Sequence, residues 1–217
     1  MLLVKVLKDN PITMLITVIV ITYVAVISLG LIYALTKELI LTNELLYAFI
    51  LPNSILTCGK SLLEIVNYDI GLHVILVGYE VIVKGYLWEL ITAIFMHANV
   101  IHLLVNVIAL AIINYIISAT LSIRYGDIIK VFMLSGFLGN VATAILTPMV
   151  ASIGASGALF GLLSYGAIKE YRETSSYTLI VLLLIIFVIS SLPVVGYPNI
   201  LAHIVGLIVG IILGFKS

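Results

Sequence analysis

One serine lies in a run of small residues that suits either chemistry or helix packing. Residues 152 to 161 read SIGASGALFG, with Ser156 beside Gly157 and with Gly161 four positions further on. Small residues spaced by four allow two membrane helices to approach closely. Small neighbours also leave room around a nucleophilic hydroxyl, which needs a base to take its proton. Whether the chain supplies such a base decides between the two interpretations.

Histidines are the natural candidates for the base, and three of the four lie in apolar sequence. His102 and Asn106 are four positions apart, so they share one helix face and can both donate hydrogen bonds into one cavity. His97 is five positions from His102, about 140° around a helix, and is predicted to point elsewhere. A single histidine in a helix is more often a packing residue, but a His and an Asn on one face favour a site.

A third histidine begins a stripe of small residues near the end of the chain. His203, Gly206 and Gly210 are three and seven positions apart and lie on one helix face. The simpler interpretation is a glycine packing stripe with an incidental histidine. The region around Ser156 offers a matching surface in Gly157 and Gly161. We therefore expect these two helices to pack closely and to bring Ser156 towards His203.

The chemistry that these residues could perform is acyl transfer. A neutral histidine is the usual base for a serine near pH 7, and the reaction also needs donors aimed at a developing oxyanion. His102, Asn106 and backbone N–H groups near Ser156 could supply those donors. No Asp or Glu lies well inside an apolar segment to orient His203, so a serine hydrolase here would use a Ser-His dyad. The sequence GASGA is not the G-x-S-x-G nucleophile elbow.

Zinc chemistry is the competing interpretation of the histidines. The chain has no H-E-x-x-H motif. His97 and His102 are also poorly placed to bind one ion, and no carboxylate accompanies them. The sequence therefore predicts neither a metal nor another cofactor at this site.

Composition places these residues in a membrane protein. The 217 residues are 63% hydrophobic and 9% charged, and the mean hydropathy is +1.33. Soluble domains are about half apolar and about a quarter charged, so this excess predicts a polytopic protein in a lipid bilayer. The net charge of zero gives no reason to expect nucleic acid as a partner. The single Cys58 excludes an internal disulfide.

Apolar runs of the length of a membrane helix predict an all-α fold with six transmembrane helices in a single membrane domain, residues 1–217. Breakers such as Tyr125-Gly126-Asp127 separate the runs. Residues 37–90 are apolar but broken by charges. They are interpreted as a long first outer loop lying partly in the membrane, or alternatively as a small extracellular subdomain. The predicted spans are 12–36, 91–118, 128–148, 155–171, 176–193 and 200–216.

The basic residues predict the orientation of these spans. If both termini are cytoplasmic, the inner segments hold seven Lys and Arg and the outer segments hold three. This bias supports cytoplasmic termini by the positive-inside rule. His102, Asn106, Ser156 and His203 then all lie near the outer ends of their helices. The inner residues are Lys5, Lys8, Arg124, Lys130, Lys169, Arg172 and Lys216, and the outer ones are Lys37, Lys60 and Lys84.

These motifs resemble those of the rhomboid family of intramembrane serine proteases, in order, over about residues 86–213. The family patterns are H-x4-H-x3-N, G-x-S-G-x3-G and A-H-x2-G-x3-G. Each is weak alone in a membrane protein rich in glycine, but the three together in the right order are specific. The matching positions are His97, His102 and Asn106; Gly154, Ser156, Gly157 and Gly161; and Ala202, His203, Gly206 and Gly210.

The resemblance implies a role for each matching residue. Ser156 would be the nucleophile, and His203 would be the general base and later the acid to the leaving amine. His102, Asn106 and the Ser156 backbone N–H would form the oxyanion hole. Phe160 falls where the family often has an aromatic residue packed on the catalytic histidine. The implied fold is a six-helix bundle with a short, central fourth helix, which is entered from a loop that dips into the membrane.

The resemblance also implies the activity, and the sequence departs from the family at two points. One is Glu89, and the other is the stretch between the first span and Trp88, which is longer than in compact bacterial members. The substrates would be single-span membrane proteins, cut in the cell membrane towards its outer side without a metal or cofactor. Trp88 matches a tryptophan of the family's first outer loop, whereas Glu89 stands where the family commonly has an arginine. The alternative function is a catalytically inactive rhomboid-like protein that binds or escorts membrane clients. A transporter is a further alternative, but the spans lack the buried charges that transporters usually use.

Overall fold

The computed structural model of this protein describes residues 10–37, 48, 50, 61–190 and 198–217. These residues are mostly helical, with two π-helical turns at Ile65–Asp69 and Glu80–Lys84 and two short strands, β1 Leu76–Val77 and β2 Ala151–Ser152. The described α-helices are α1 Pro11–Thr36, α2 Leu62–Glu64, α3 Glu89–Phe95, α4 Val100–Thr120, α5 Tyr125–Leu146, α6 Ser156–Thr174, α7 Thr178–Ser190 and α8 Ile200–Lys216.

Three of the described helices are long and apolar enough to cross a membrane. They are α1, α4 and α5, with 26, 21 and 22 residues, and at 1.5 Å per residue each is about 30 Å long or longer. The apolar helices α7 and α8 are shorter, with 13 and 17 described residues. Helix α6 carries four charged residues in its last six positions. The predicted membrane character is confirmed, and the count of six spans stays a prediction.

Asparagine side chains fix where three helices begin. Asn10 Oδ1 accepts hydrogen bonds from the N–H groups of the first turn of α1, where Pro11 is the first residue. Asn99 Oδ1 accepts from His102 N at 2.7 Å, and Asn199 Oδ1 accepts from Ala202 N at 3.0 Å. Such caps satisfy N–H groups that have no partner within the helix. They place His102 and His203 in the first turns of α4 and α8.

The described helices begin and end at residues that differ from several of the predicted span boundaries. The span predicted at 91–118 is two helices, α3 and α4, because the chain is extended at Met96 and Asn99 begins a new helix. The span predicted at 128–148 begins at Tyr125, since Tyr125-Gly126-Asp127 form the first turn of α5 instead of a break. The span predicted at 155–171 continues to Thr174. The end of the span predicted at 176–193 lies outside the described residues.

Helix α6 is the central helix, with twelve of its nineteen residues buried. It packs against α8 along the glycine stripes. A Cβ on Gly206 would overlap the carbonyl oxygen of Gly157, and a Cβ on Gly210 would overlap that of Gly161. On the α5 side, a Cβ on Gly161 would overlap the side chain of Ser135. Only glycine permits backbone contact this close between helices.

The described part of the outer loop, residues 61–90, is attached to the segment that leads into α6. Strands β1 and β2 pair antiparallel, with Leu76 opposite Ser152 and Val77 opposite Ala151. Tyr79 N donates to Pro148 O at 2.9 Å. The buried Glu89 holds β1 as well, because its Oε2 accepts a hydrogen bond from Val77 N at 2.9 Å. Residues 38–47, 49 and 51–60 of the predicted loop lie outside the described part.

Candidate active site

Ser156 and His203 meet where α6 and α8 both begin. His203 Nε2 lies 2.8 Å from Ser156 Oγ, which is within hydrogen-bond distance. His203 is buried and Ser156 is half-buried. Because Ser156 is the first residue of α6, its backbone N–H belongs to the turn that has no acceptor within the helix. The hydroxyl therefore has a candidate base on one side and backbone donors beside it.

Packing holds the ring of His203 in place. The ring of Phe160 lies against it, with 4.5 Å between the ring centroids and 34° between the planes. His203 N donates to the carbonyl of Asn199, the cap of α8, at 3.1 Å. Within the described part of the chain, no Asp or Glu side chain is hydrogen-bonded to His203. The ring of His203 is therefore held by the Phe160 ring and by Ser156 Oγ.

His102 and Asn106 face the same space from α4. Asn106 Nδ2 donates to the carbonyl of His102 at 2.9 Å, and an amide nitrogen has a second hydrogen available to another acceptor. The ring of His102 lies against Gly154, where an added Cβ would be 2.7 Å from its Cε1. Gly154 also has φ +123°, a conformation that favours glycine. This glycine therefore lets the segment before α6 pass directly beside the imidazole.

A cavity of about 360 Å³ joins these groups. Its volume is within the range of pockets that bind small ligands or a few residues of a chain. Polar side chains from several elements line it, and the remaining lining is mostly apolar. The lining includes His102, Asn106, Gly154, Ser156, Phe160 and His203.

Two residues singled out from the sequence lie apart from Ser156. The prediction that His97 points away from His102 was wrong. His97 lies between α3 and α4, and its ring packs edge-on against that of His102 with centroids 5.0 Å apart. Trp88 is outside the cavity lining. It is 45% exposed and lies 4.8 Å from the ring of Tyr86 on the outer loop.

Two asparagines in the cavity wall were missed by the sequence reasoning. Asn199 Nδ2 donates to Thr143 Oγ1 at 2.8 Å and to Ser152 Oγ at 2.7 Å, which joins α8 to α5 and to β2. Asn140 Nδ2 donates to Leu90 O at 2.9 Å, which joins α5 to α3. An Asn before a helical run signals a cap, and a polar residue within an apolar span signals a buried partner. Both signals were present in the sequence.

The outer loop carries charged groups whose ionisation depends on burial. Burial raises the pKa of Glu89 to about 7, although the hydrogen bond from Val77 N opposes that rise and the nearby Glu80 adds to it. Burial also acts to raise the pKa of Glu80. Hydrogen bonds from Lys84 and His73 outweigh burial, so the pKa of Glu80 is below its usual value. Glu89 therefore stabilises β1 without the positive charge that an arginine would bring.

Comparison with known proteins places these residues in a recognised domain. The family model for the Rhomboid domain matches residues 84–217. RHOMBOID-like protein 7 of Arabidopsis thaliana is 32% identical over 63% of this chain and 44% of its own length. Rhomboid-like protease 3 of Toxoplasma gondii is 34% identical over 36% of this chain and 28% of its own. Inactive rhomboid protein 2 of Homo sapiens is 29% identical over 59% of this chain and 15% of its own length. The chain spans less than half the length of these relatives.

Proposed function

Because this chain belongs to the rhomboid family, we propose that it is an intramembrane serine endopeptidase in which Ser156 is the nucleophile and His203 the general base. The observation that carries the proposal is the distance of 2.8 Å between Ser156 Oγ and His203 Nε2. A serine needs a base within about 2.6–3.2 Å to lose its proton as it attacks. The cavity of about 360 Å³ beside the pair supplies space for the scissile bond.

The proposed reaction proceeds in two halves. His203 Nε2 takes the Ser156 proton while Oγ attacks the peptide carbonyl, and the protonated imidazole then gives that proton to the leaving amine. An acyl-enzyme on Ser156 remains, and His203 takes a proton from a water molecule that attacks it. Release of the acid restores the hydroxyl and the neutral imidazole. No cofactor takes part in these steps.

The oxyanion that forms in each half needs donors. We assign this role to the Ser156 backbone N–H, the His102 ring and the Asn106 amide. The start of α6 supports the assignment, because N–H groups at a helix N-terminus favour negative charge. Asn106 keeps a second hydrogen beyond the one bonded to the His102 carbonyl. Removing one such donor typically lowers the rate by about 100- to 1,000-fold.

The substrates and the placement in the membrane follow from the same proposal. We assign the chain six membrane spans in a single membrane domain of the cell membrane, with both termini in the cytoplasm and the site towards the outer side. The substrates would be transmembrane helices of other proteins, which reach the site from the bilayer. The excess of basic residues on the inner side supports this orientation.

A reporter with a single, easily unwound transmembrane helix tests the proposal in proteoliposomes. The wild-type protein is expected to cleave it, and Ser156→Ala and His203→Ala are each expected to lower the rate by about a thousandfold or more. Ser118→Ala is the matched control, because Ser118 is exposed on α4 far along the helix from His102. Cleavage that persists in Ser156→Ala or in His203→Ala would contradict the proposal.

The inactive, client-binding alternative has one observation in its favour. A human relative that carries the word inactive in its name is 29% identical to this chain. Co-purification of a transmembrane client with a wild-type protein that cleaves no reporter would support this alternative. The presence of both Ser156 and His203 within hydrogen-bond distance favours the protease.

A further inference from the structure

A cluster of ionisable side chains outside the candidate active site lies in the outer loop. His73, Glu80 and Glu89 each direct one atom to a common point, and these atoms all lie within 4.8 Å of one another. His73 Nδ1 is 3.3 Å from Glu80 Oε2 and 3.7 Å from Glu89 Oε1. The three residues come from the turn before β1, the π-helical turn Glu80–Lys84 and α3, so the cluster joins three pieces of the loop.

One of these carboxylates is incompletely satisfied. Glu89 is fully buried, and its Oε2 accepts the hydrogen bond from Val77 N. Its other oxygen, Oε1, is buried and has no hydrogen-bond partner among the described residues, although it faces His73 Nδ1. A buried polar atom without a partner is rare in folded proteins. This oxygen is therefore available to bind a ligand.

The charge of the cluster has the sign that a cation requires. Lys84 Nζ lies 3.0 Å from Glu80 Oε1 and balances one of the two carboxylates. The second oxygen of Glu80 and Oε1 of Glu89 remain directed towards His73. Two carboxyl groups and one ammonium meet here, so acidic groups outnumber the single lysine and the cluster can carry an excess of negative charge. A cation at the common point would balance this charge.

We propose that His73, Glu80 and Glu89 form a binding site for one divalent transition-metal ion with the ligand preferences of zinc. Zinc bonds to imidazole nitrogen and carboxylate oxygen are about 2.0–2.2 Å long, which places tetrahedral donors about 3.3–3.6 Å apart. His73 Nδ1 lies 3.3 Å from Glu80 Oε2 and 3.7 Å from Glu89 Oε1, which is near that spacing, and all three atoms lie within 4.8 Å of one another. The imidazole ligand favours zinc and its neighbours over calcium or magnesium, which prefer oxygen alone.

The surroundings of the cluster suit a bound ion. The ring of His73 is held by the ring of Tyr86, with centroids 4.2 Å apart, and by Tyr68 at 6.0 Å. The His73 side chain is 14% exposed and the Lys84 side chain 45% exposed, so an ion can enter from the surface. Three protein ligands leave the fourth tetrahedral position for a water molecule.

The position of the site predicts what the ion does. Glu89 also holds β1 through Val77 N, and β1 pairs with β2 ahead of Gly154 and Ser156. An ion on His73, Glu80 and Glu89 would therefore fix the outer loop against the segment that leads into α6. Zinc is expected to raise the melting temperature of the wild-type protein because it binds only the folded arrangement.

Titration of the purified full-length protein with zinc chloride tests the proposal. After removal of metals with a chelator, calorimetry in detergent is expected to show one ion bound per chain. Glu89→Gln and His73→Ala are each expected to weaken zinc binding by at least about tenfold. Loss of a residue that only supports a metal ligand typically weakens binding by about that much, so loss of a ligand should weaken it at least as much. Glu64→Gln is the matched control. Glu64 lies in the same outer loop, where it accepts from Ser61 N, and glutamine also serves in a capping box.

Two results would overturn the proposal. The first is wild-type protein without stoichiometric binding, and the second is binding that is as strong in Glu89→Gln and His73→Ala as in the wild type. X-ray absorption of the zinc-loaded wild type decides the matter even if a variant does not fold. One imidazole with oxygen ligands supports the site, whereas a sulfur ligand or several imidazoles would place the ion elsewhere.

Discussion

Gly206 lies against the carbonyl of Gly157 with no room between them for a methyl group. This contact is one residue from Ser156 and three residues from His203. It therefore sets the separation of α6 and α8 at the point where the hydroxyl and the imidazole meet. The small residues around Ser156 therefore serve both helix packing and the proposed chemistry, because the contact of Gly157 with Gly206 brings Ser156 to His203.

Replacing Gly206 tests this coupling. In Gly206→Ala the new Cβ overlaps a backbone oxygen, which no change of rotamer can relieve. The free energy of unfolding in detergent is expected to fall by about 1–3 kcal/mol, and cleavage of the reporter is expected to fall with it. Gly126→Ala is the control, since a Cβ on Gly126 in the first turn of α5 meets nothing within 4 Å. Equal behaviour of the two variants would contradict the role of the contact.

Gly154 is expected to matter for activity more than for stability. Gly154→Ala places a Cβ 2.7 Å from the His102 ring, so it should displace a proposed oxyanion donor and lower kcat/KM by at least about tenfold. Gly71→Ala provides the matched control, because Gly71 has φ +77° but open space around it. Both positions have positive φ, so both variants should carry a backbone strain of about 1–3 kcal/mol. A similar loss of kcat/KM in the control would assign the effect to strain alone.

Much of the arrangement around Ser156 could be predicted from the sequence because it depends on helical spacing. In any regular helix, His102 lies on the same face as Asn106. His203 likewise lies on the same face as Gly206 and Gly210, wherever the helix begins. The orientation of His97 could not be found in this way. Its placement depends on the break at Met96 and on the cap at Asn99, which end one helix and begin another within an apolar run.

The outer loop was beyond sequence reasoning for a different physical reason. Leu76 pairs with Ser152, and His73 approaches Glu89, through contacts that join distant parts of the chain. The spacing of apolar residues predicts the structure of one segment at a time. It does not predict which distant segments pair with one another. The sequence did reveal Glu89 in place of an arginine. That its carboxylate stabilises the loop through Val77 N required the structure.

This anchoring role of Glu89 is tested by two substitutions. Glu89→Ala leaves Val77 N without its acceptor, which should lower stability by about 1–3 kcal/mol. Glu89→Gln keeps an oxygen in the same place and should lower it less. With metals removed by a chelator, hydrogen exchange at Val77 is expected to be faster in Glu89→Ala than in the wild type, and close to wild type in Glu89→Gln. Unchanged exchange in Glu89→Ala would contradict the anchor.

The cap of α8 should act on catalysis through His203. Asn199→Ala removes the acceptor for Ala202 N and the donors to Thr143 and Ser152. Loss of a cap typically lowers stability by about 1 kcal/mol, and here kcat should fall as well. Asn10→Ala removes a comparable cap from α1, away from the cavity. If both variants lose stability but neither loses kcat, then Asn199 does not position the histidine.

The most direct test of the central claim is labelling with a serine-reactive probe, such as a fluorophosphonate or an isocoumarin, followed by mass spectrometry. The wild-type protein is expected to carry one adduct on Ser156, because His203 Nε2 lies 2.8 Å from its hydroxyl. Labelling is expected to disappear in Ser156→Ala and to fall sharply in His203→Ala, with both variants checked for folding by their melting temperatures. An adduct on another residue, or undiminished labelling of folded His203→Ala, would contradict the assignment of the pair.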